Sequence, residues 1–271
     1  MSTQDLARDI RIRALEMVTV AKASHIGGAL SIADVVAVLY GSVLRHKPEQ
    51  PEWSNRDRLI LSKGHSCTSL YAALALCGYF PVPELATYAS NGSRLMSHIS
   101  HKVPGVEFST GSLGHGLPFG AGKALAAKRR GLAWRTYVIV SDGELDEGSN
   151  WEAILFAGHH KLDNLTLIVD YNKIQSLGSV NEVIDLGDLV QKFSAFRWDP
   201  IRINGHDHDA LSNAFLSQGK KGMPTVLVAD TVKGKGVSFM ENLLIWHYRN
   251  PDANQLAAAV SELTSNDARR T

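Results

Sequence analysis

Two runs that read as buried strands, each ending in a polar residue and the two polar residues thirty positions apart, constrain this chain most. The first, Thr136-Tyr137-Val138-Ile139-Val140-Ser141, leads into Asp142-Gly143-Glu144. The second, Leu165-Thr166-Leu167-Ile168-Val169-Asp170-Tyr171, leads into Asn172-Lys173-Ile174. Between them, Ser149 to Lys161 carries apolar Trp151, Ile154, Leu155 and Ala157 at helical spacing. Consecutive strands of a strand–helix–strand unit lie parallel, so both polar residues leave at one carboxyl edge. Open α/β sheets bind their ligands at that edge. One carboxylate and one amide oxygen, both hard, suit Mg²⁺ that completes its shell with water and phosphate oxygens. Taken alone, Asp142 also fits a plainer role as the cap of the next helix.

The rest of the chain agrees with an α/β fold: a doubly wound, mostly parallel sheet flanked by helices. At 271 residues it has the length of a single domain with one large core, read as spanning 1–271. Net charge is +1 and the 28 Lys and Arg are scattered, which gives no argument for nucleic acid or an anionic membrane as partner. No apolar run approaches the length of a membrane span, and the N-terminus lacks a signal-peptide layout. Cys67 and Cys77, the two cysteines, fall in one apolar helical pattern and read as buried free thiols. A cytoplasmic protein is expected.

Along the chain, Thr3 or Asp5 can cap a helix to about Lys22 with Leu6, Ile10, Ala14, Leu15 and Val18 on one face. Ser24 to Gly28 reads as a glycine-containing turn, and a helix is expected from Ser31 to about Leu44. Arg58 to Ser62 reads as a short strand broken by Lys63-Gly64-His65, with a helix to Cys77 behind it. Ser176 to Gly187 reads as a surface excursion. Strands are expected near 200–203 and 225–230, with a helix at Asp209–Gln218 between them. The last twenty residues read as a solvated helix and a frayed tail.

Three glycine-rich stretches invite a phosphate reading. Gly111-Ser112-Leu113-Gly114-His115-Gly116 precedes a helix whose free amides suit a phosphate, but its glycine spacing is not a dinucleotide fingerprint. Gly122-Lys123 is not a nucleotide-binding loop, and Lys233-Gly234-Lys235-Gly236 reads as a mobile basic turn. Eleven histidines raise the question of zinc, yet His159-His160 are adjacent and face apart, and Asn204 to Asp209 reads as a turn ending in a helix cap. His25, His65, His98 and His247 fall in loops, where histidines beside a phosphate and metal edge suit proton transfer and hydroxyl recognition.

These stretches together resemble the transketolase family. Asp142-Gly143-Glu144, Glu147-Gly148 and Asn172-Lys173-Ile174 resemble its thiamine-diphosphate motif, with Ser141 where the family opens on Gly. Ser109 to Gly116, Ala23 to Gly28, Leu61 to His65, and Trp246-His247 resemble four further stretches, so the likeness runs from His25 to His247. It implies that Asp142, the Asn172 side chain and the Ile174 carbonyl hold Mg²⁺, with Ca²⁺ or Mn²⁺ as substitutes. It implies thiamine diphosphate as cofactor, with Gly143 and Glu144 shaping its anchor and Gly111 and Leu113 lining it. His25 and His98 would meet ketose hydroxyls, and His65 and His247 the diphosphate and reacting carbons. The family usually reads Gly-His-Pro at the third histidine, whereas this chain reads Ser97-His98-Ile99-Ser100-His101, so His98 or His101 fills that role. Glu147 and Glu152 match positions between paired cofactor sites, and also fit an ordinary salt-bridged helix surface.

The resemblance fits only the family's N-terminal, diphosphate-binding part. It therefore implies one subunit of a split, two-chain transketolase, whose pyrimidine-binding domain sits on a C-terminal partner subunit. A heterotetramer of two plus two chains is expected, moving a two-carbon ketol unit between sugar phosphates. Specialised members acting on branched or sulfonated sugars, of the apulose 4-phosphate or sulfofructose type, fit equally. Rivals are deoxyxylulose-phosphate synthase, a 2-oxoacid dehydrogenase subunit, and a non-catalytic, cofactor-binding regulatory subunit.

Overall fold

Strands β1 (Arg58–Leu61), β2 (Thr136–Ser141), β3 (Leu165–Tyr171), β4 (Asp199–Asn204) and β5 (Thr225–Asp230) form one sheet in the order β1-β2-β3-β5-β4. Every pairing is parallel. The computed structural model describes residues 1–217 and 222–265. Strands β2 and β3 are buried over nearly their whole length, as expected of a parallel sheet covered on both faces.

The period-2 alternation of the strands decides which layer each side chain joins. Tyr137, Ile139, Ile168, Leu227 and Ala229 enter one core, shared with α1 (Thr3–Ala21), α2 (Ile26–Ser31), α3 (Ala33–Val38) and α4 (Cys67–Leu76). Val138, Val140, Leu165, Leu167, Val169, Val226 and Val228 enter the other. That second core is closed by α5 (Gly116–Arg129), α6 (Gly148–His159), the short α7 (Val180–Val183) and α8 (Leu189–Ala195). Helices α9 (His208–Leu216) and α10 (Ala253–Ser265) complete the first layer. The result is helices on both faces of a parallel sheet, as the sequence predicts. No helix among the described residues is long and apolar enough to cross a membrane.

Several local expectations change. The cap of α1 is Ser2, whose Oγ accepts the Asp5 N–H at 3.0 Å while Asp5 accepts back from the Ser2 N–H, a reciprocal box. Ser24 to Gly28 is not simply a turn: α2 begins at Ile26, and the expected helix from Ser31 is split at Ile32 and ends in a π-helical turn, Leu39–Val43. Cys67 opens α4 and Cys77 follows its end, half-buried rather than buried. Helix α10 is less solvated than its composition suggests, because Ala259 and Leu263 are buried in the core that contains α1. The frayed tail expected at the C-terminus and the helix end expected at Gln218 fall on residues outside those described.

Candidate functional site

The carboxyl ends of β1, β2, β3 and β5 open into one cleft of about 410 Å³. Its lining includes His25, Lys63, His65, His98, Gly111, Leu113, Asp142, Gly143, Asn172, Ile174, Lys233 and His247. Of the residues the resemblance assigns to cofactor, metal or substrate without an alternative, Glu144 stays out of it.

Asp142 directly follows β2, and its carboxylate is met by backbone donors: Oδ1 accepts the Gly143 N–H at 2.7 Å and Oδ2 the Lys173 N–H at 2.6 Å. Burial, then the nearby Asp170 carboxylate, pushes its pKa up to about 6. Asn172 directly follows β3, with Oδ1 accepting the Ile174 N–H at 3.1 Å and Nδ2 donating to Asp170 Oδ2 at 3.0 Å. That donation fixes which end of the amide faces Asp170 and leaves the carbonyl end toward Ile174. Lys173 holds a left-handed backbone (φ 68°) to make this turn, a conformation uncommon outside glycine.

Behind Asn172, Asp170 collects four side-chain donors: Ser31 Oγ at 2.7 Å, Asn172 Nδ2, Thr231 Oγ1 and Lys63 Nζ. Burial works to raise the Asp170 pKa, but Lys63 and the hydrogen bonds outweigh it and hold the carboxyl low. Glu144 is fully buried behind the wall, where Oε1 accepts from Ser62 Oγ and from the Gly114 N–H at 2.9 Å. It braces the glycine-rich loop against the end of β1. Gly114 has φ +83°, and a Cβ there would lie 2.4 Å from Ser149 Oγ, so this turn requires glycine.

The four loop histidines gather round His25. Ring centroids lie 5.2 Å from His65, 5.8 Å from His98 and 4.9 Å from His247. His25 is also left-handed (φ 74°), and its N–H donates to the His247 carbonyl at 3.0 Å. Burial first, then neighbouring cations and imidazoles, drives the pKa of His25 down to about 4 and of His247 to about 3. His65 falls well below its ordinary value for the same reasons, and burial lowers His98. Neutral imidazoles can donate and accept at once, which suits hydroxyl recognition and proton relay. His101 is exposed, with Nδ1 2.7 Å from Ser109 Oγ, so His98 is the one that lines the cleft.

Two lysines escaped the sequence reading. Lys63, 1 % exposed, donates to Asp170 and to the Gly28 carbonyl at 3.2 Å. Lys233, expected on a mobile basic turn, is 2 % exposed and reaches into the cleft. Its Nζ lies 2.8 Å from the Ile174 carbonyl and 3.2 Å from His247 Nδ1. Burial lowers its pKa to about 8, with Lys63 adding to the effect. The pattern that marks Lys233 as buried is long-range, since it packs against Gly27 of α2 and reaches the Ile174 carbonyl and His247. Glu147, at the N-terminus of α6, is exposed and lines the cleft, whereas Glu152 is exposed on α6 and does not. Among the described residues no group of three or more His, Cys, Asp or Glu is placed to hold a metal.

The family model for the transketolase thiamine-diphosphate-binding domain matches residues 2–266. The chain belongs to the transketolase family. It is similar to an apulose-4-phosphate transketolase subunit of Phocaeicola vulgatus, 41% identical over 94% of this chain and 91% of that one. A 6-deoxy-6-sulfo-D-fructose transketolase subunit of a Clostridium species is 42% identical over 98% and 97%. The transketolase structure from Leishmania mexicana superimposes with a TM-score of 0.87 at 29% identity. That match covers 99% of this chain but 45% of the Leishmania chain, so transketolases of that length carry as much again. The chain is thus a transketolase subunit of the transferase class, corresponding to the N-terminal, thiamine-diphosphate-binding part.

Proposed function

We propose that the chain, with a C-terminal partner subunit, transfers a two-carbon ketol unit from a ketose phosphate to an aldose phosphate. The observation that carries this reading is the meeting of Asp142, Asn172 and the Ile174 carbonyl at the rim of a cleft ringed by four histidines. The residues fit a magnesium diphosphate. Asp142 is a buried carboxylate whose oxygens are met by two backbone N–H groups, and its charge is penalised by burial, a penalty a divalent cation would offset. Asp142, the Asn172 Oδ1 and the Ile174 carbonyl would hold Mg²⁺, with Ca²⁺ or Mn²⁺ able to replace it. Lys233, beside that carbonyl, adds a cation toward the phosphates.

Thiamine diphosphate, when bound, supplies an electron sink for cleaving the carbon–carbon bond next to a ketose carbonyl. The chain's own groups do the rest. Gly111 and Leu113 line the cofactor, and Gly143 opens the wall for the diphosphate. His25 and His98 orient ketose hydroxyls, while His65 and His247 stand at the diphosphate and reacting carbons, work typically worth about 10²–10⁴-fold. The pyrimidine-binding half comes from the partner, in an assembly of two plus two chains. A reducing, cytoplasmic setting agrees with Cys67 and Cys77 being free thiols.

The names of the two split-enzyme relatives favour a second, narrower reading, in which the substrate is a branched or sulfonated sugar. Ile99 after His98, where the family usually has Pro, is a departure next to a cleft histidine, although Ile99 itself is buried in the core. Mixing the chain with its partner and screening ketose phosphates, including branched and sulfonated ones, for ketol transfer tests both. Activity and Mg²⁺-dependent stabilisation by thiamine diphosphate are expected, both lost in Asp142→Ala. Cofactor stabilisation that survives Asp142→Ala unchanged removes the metal assignment; binding without turnover of any ketose turns the reading toward a regulatory subunit.

A further inference from the structure

The turn that carries Lys233 into the cleft is pinned from outside the cleft, at both of its ends. On the N-terminal side the Val232 N–H donates to His206 Nε2 at 2.9 Å. On the C-terminal side the Lys235 carbonyl accepts from Arg11 Nε at 2.9 Å. Between them Gly234 has φ +80°, and a Cβ there would sit 2.3 Å from the Met240 carbonyl oxygen, so the turn is tight as well as tethered.

Backbone bonds also hold the turn, from the Gly234 N–H to the Gly27 carbonyl and from the Asn242 N–H to the Lys233 carbonyl, both at 2.9 Å, but the two side-chain tethers end on one carboxylate. Asp34, on α3, accepts from Arg11 Nη1 at 3.0 Å and Nη2 at 2.5 Å, from His206 Nδ1 at 2.6 Å and from His208 Nε2 at 3.0 Å. Because a backbone N–H donates to Nε2 of His206, that nitrogen has no proton, and Nδ1 carries it toward Asp34. The tautomer is therefore set by the two partners together. Arg11 comes from α1, Asp34 from α3, His206 and His208 from the segment after β4, and Lys233 from the segment after β5. Four parts of the chain far apart in sequence agree on the height of one backbone turn. Nothing in this cluster lines the proposed cofactor cleft except Lys233 itself.

We propose that His206, oriented by Asp34, is a positioning residue for Lys233: by holding the Val232 N–H it fixes where the Lys233 amine enters the cleft, and hence how tightly the cleft grips a magnesium diphosphate. The inference rests on the reading of that cleft given above. Charge-assisted bonds to phosphate are short and directional, so a small shift of the turn weakens them. Groups one layer behind a metal site typically alter its affinity by about 10–100-fold when removed.

Two substitutions separate the bonds of His206. Asn places its amide near the Nδ1 position, keeps a donor for Asp34, and does not reach Val232. Gln reaches the Nε2 position and can still accept from the Val232 N–H. Calorimetric titration of the chain with thiamine diphosphate in saturating Mg²⁺ reads the outcome. His206→Asn is expected to raise the Kd about tenfold, the lower end of that range, and His206→Gln to stay within about twofold of wild type. In a Lys233→Met background His206→Asn should add less than about twofold, since coupled positions are not additive. Should His206→Asn not fold, Arg11→Lys is the second variant: it leaves a cation on Asp34, removes the Nε donor to Lys235, and is expected to show the same loss and the same non-additivity. Wild-type affinity in the folded variant, or a loss that persists in full without Lys233, overturns the proposal. A wild-type chain that shows no Mg²⁺-dependent binding overturns the cofactor reading first, and this inference with it.

Discussion

The buried polar side chains fall into two groups, one that includes Asp170 in β3 and Asp34 on α3 and one that lines the cleft, and they are treated oppositely. Asp170 is saturated from within the chain by Lys63, Ser31, Thr231 and Asn172, and its carboxyl is held low. Asp34 is likewise surrounded by Arg11, His206 and His208, and its carboxyl is held well below the usual range although burial opposes this. In the cleft the shifts run the other way. Asp142 is pushed up to about 6, Lys233 down to about 8, His25 to about 4 and His247 to about 3, in each case with burial the first cause. Every one of these moves favours the uncharged form. Buried charges compensated internally are held by the fold alone, whereas those penalised by burial are ones a charged ligand would offset, in line with the function proposed for the cleft; Glu144, raised by burial outside the cleft, shows that the penalty alone does not mark a site. Asp142 and Asp170 make the contrast sharpest, because β2 and β3 place Ser141 and Asp170 side by side in register.

The largest effect should come from breaking the compensated side. Asp170→Ala strands the Lys63 ammonium, 1 % exposed, without its carboxylate. Removing one partner of a buried ion pair costs about 3–5 kcal/mol, since the remaining charge is uncompensated. Chemical denaturation should show that loss in the apoprotein, with no cofactor added. A change under about 1 kcal/mol would mean that Asp170 and Lys63 are not the fold's own pair, and the contrast with Asp142 would go with them.

How much of this is legible in the sequence follows the same division. Strand–helix–strand periodicity and the polar residues at strand ends expose Asp142 and Asn172, because both signals are local. The loop histidines are visible as residues out of place in turns, although only the fold brings them within about 6 Å of His25. Lys63, Lys233, Asp34 and Asp170 were not picked out. Each is a common charged residue in an unremarkable local pattern, and each acquires its meaning from partners such as Ser31 and Asp170, 139 positions apart. Lys233-Gly234-Lys235-Gly236 looks like a loose basic turn for want of any local sign that His206 and Arg11 hold it. Helix boundaries around Ile26–Ser31 failed for a related reason: Gly27 and Gly28 are poor helix formers, and burial under the cleft overrides that preference.

The cleft side can be tested by acid. His25 and His247 have folded-state pKa values of about 4 and about 3, below the ordinary value of 6.5 that the unfolded chain restores. The unfolded state therefore binds more protons between about pH 6.5 and pH 4, and stability falls as pH drops through that window. Both rings are partly open to solvent, which moderates the effect. The melting temperature of the apoprotein should decline from pH 7 to pH 4, and less steeply in His25→Gln/His247→Gln. Parallel profiles for the two proteins would show that the cleft does not penalise these charges, and the contrast would then rest on Asp142 and Lys233 alone.

The smallest effect concerns Ser141, which stands between the two aspartates at the position where the family's motif opens on glycine. The structure gives this serine a local function: its Oγ accepts the Glu144 N–H at 3.2 Å, while Glu144 Oε2 accepts the Ser141 N–H at 3.4 Å. Its backbone is not left-handed, so glycine is not required there for conformation. Ser141→Gly removes the oxygen that receives the Glu144 N–H and adds backbone entropy to the unfolded chain, together worth about 1 kcal/mol. The melting temperature should fall by a few degrees. Affinity for thiamine diphosphate in Mg²⁺ should change less than about twofold: Ser141 lines the cleft, but its hydroxyl is engaged by the Glu144 N–H and is not one of the groups proposed to hold the cation. A large loss of affinity would instead mean that the Ser141 hydroxyl contributes to ligand binding in the cleft it lines, and would add the end of β2 to the cleft's binding groups.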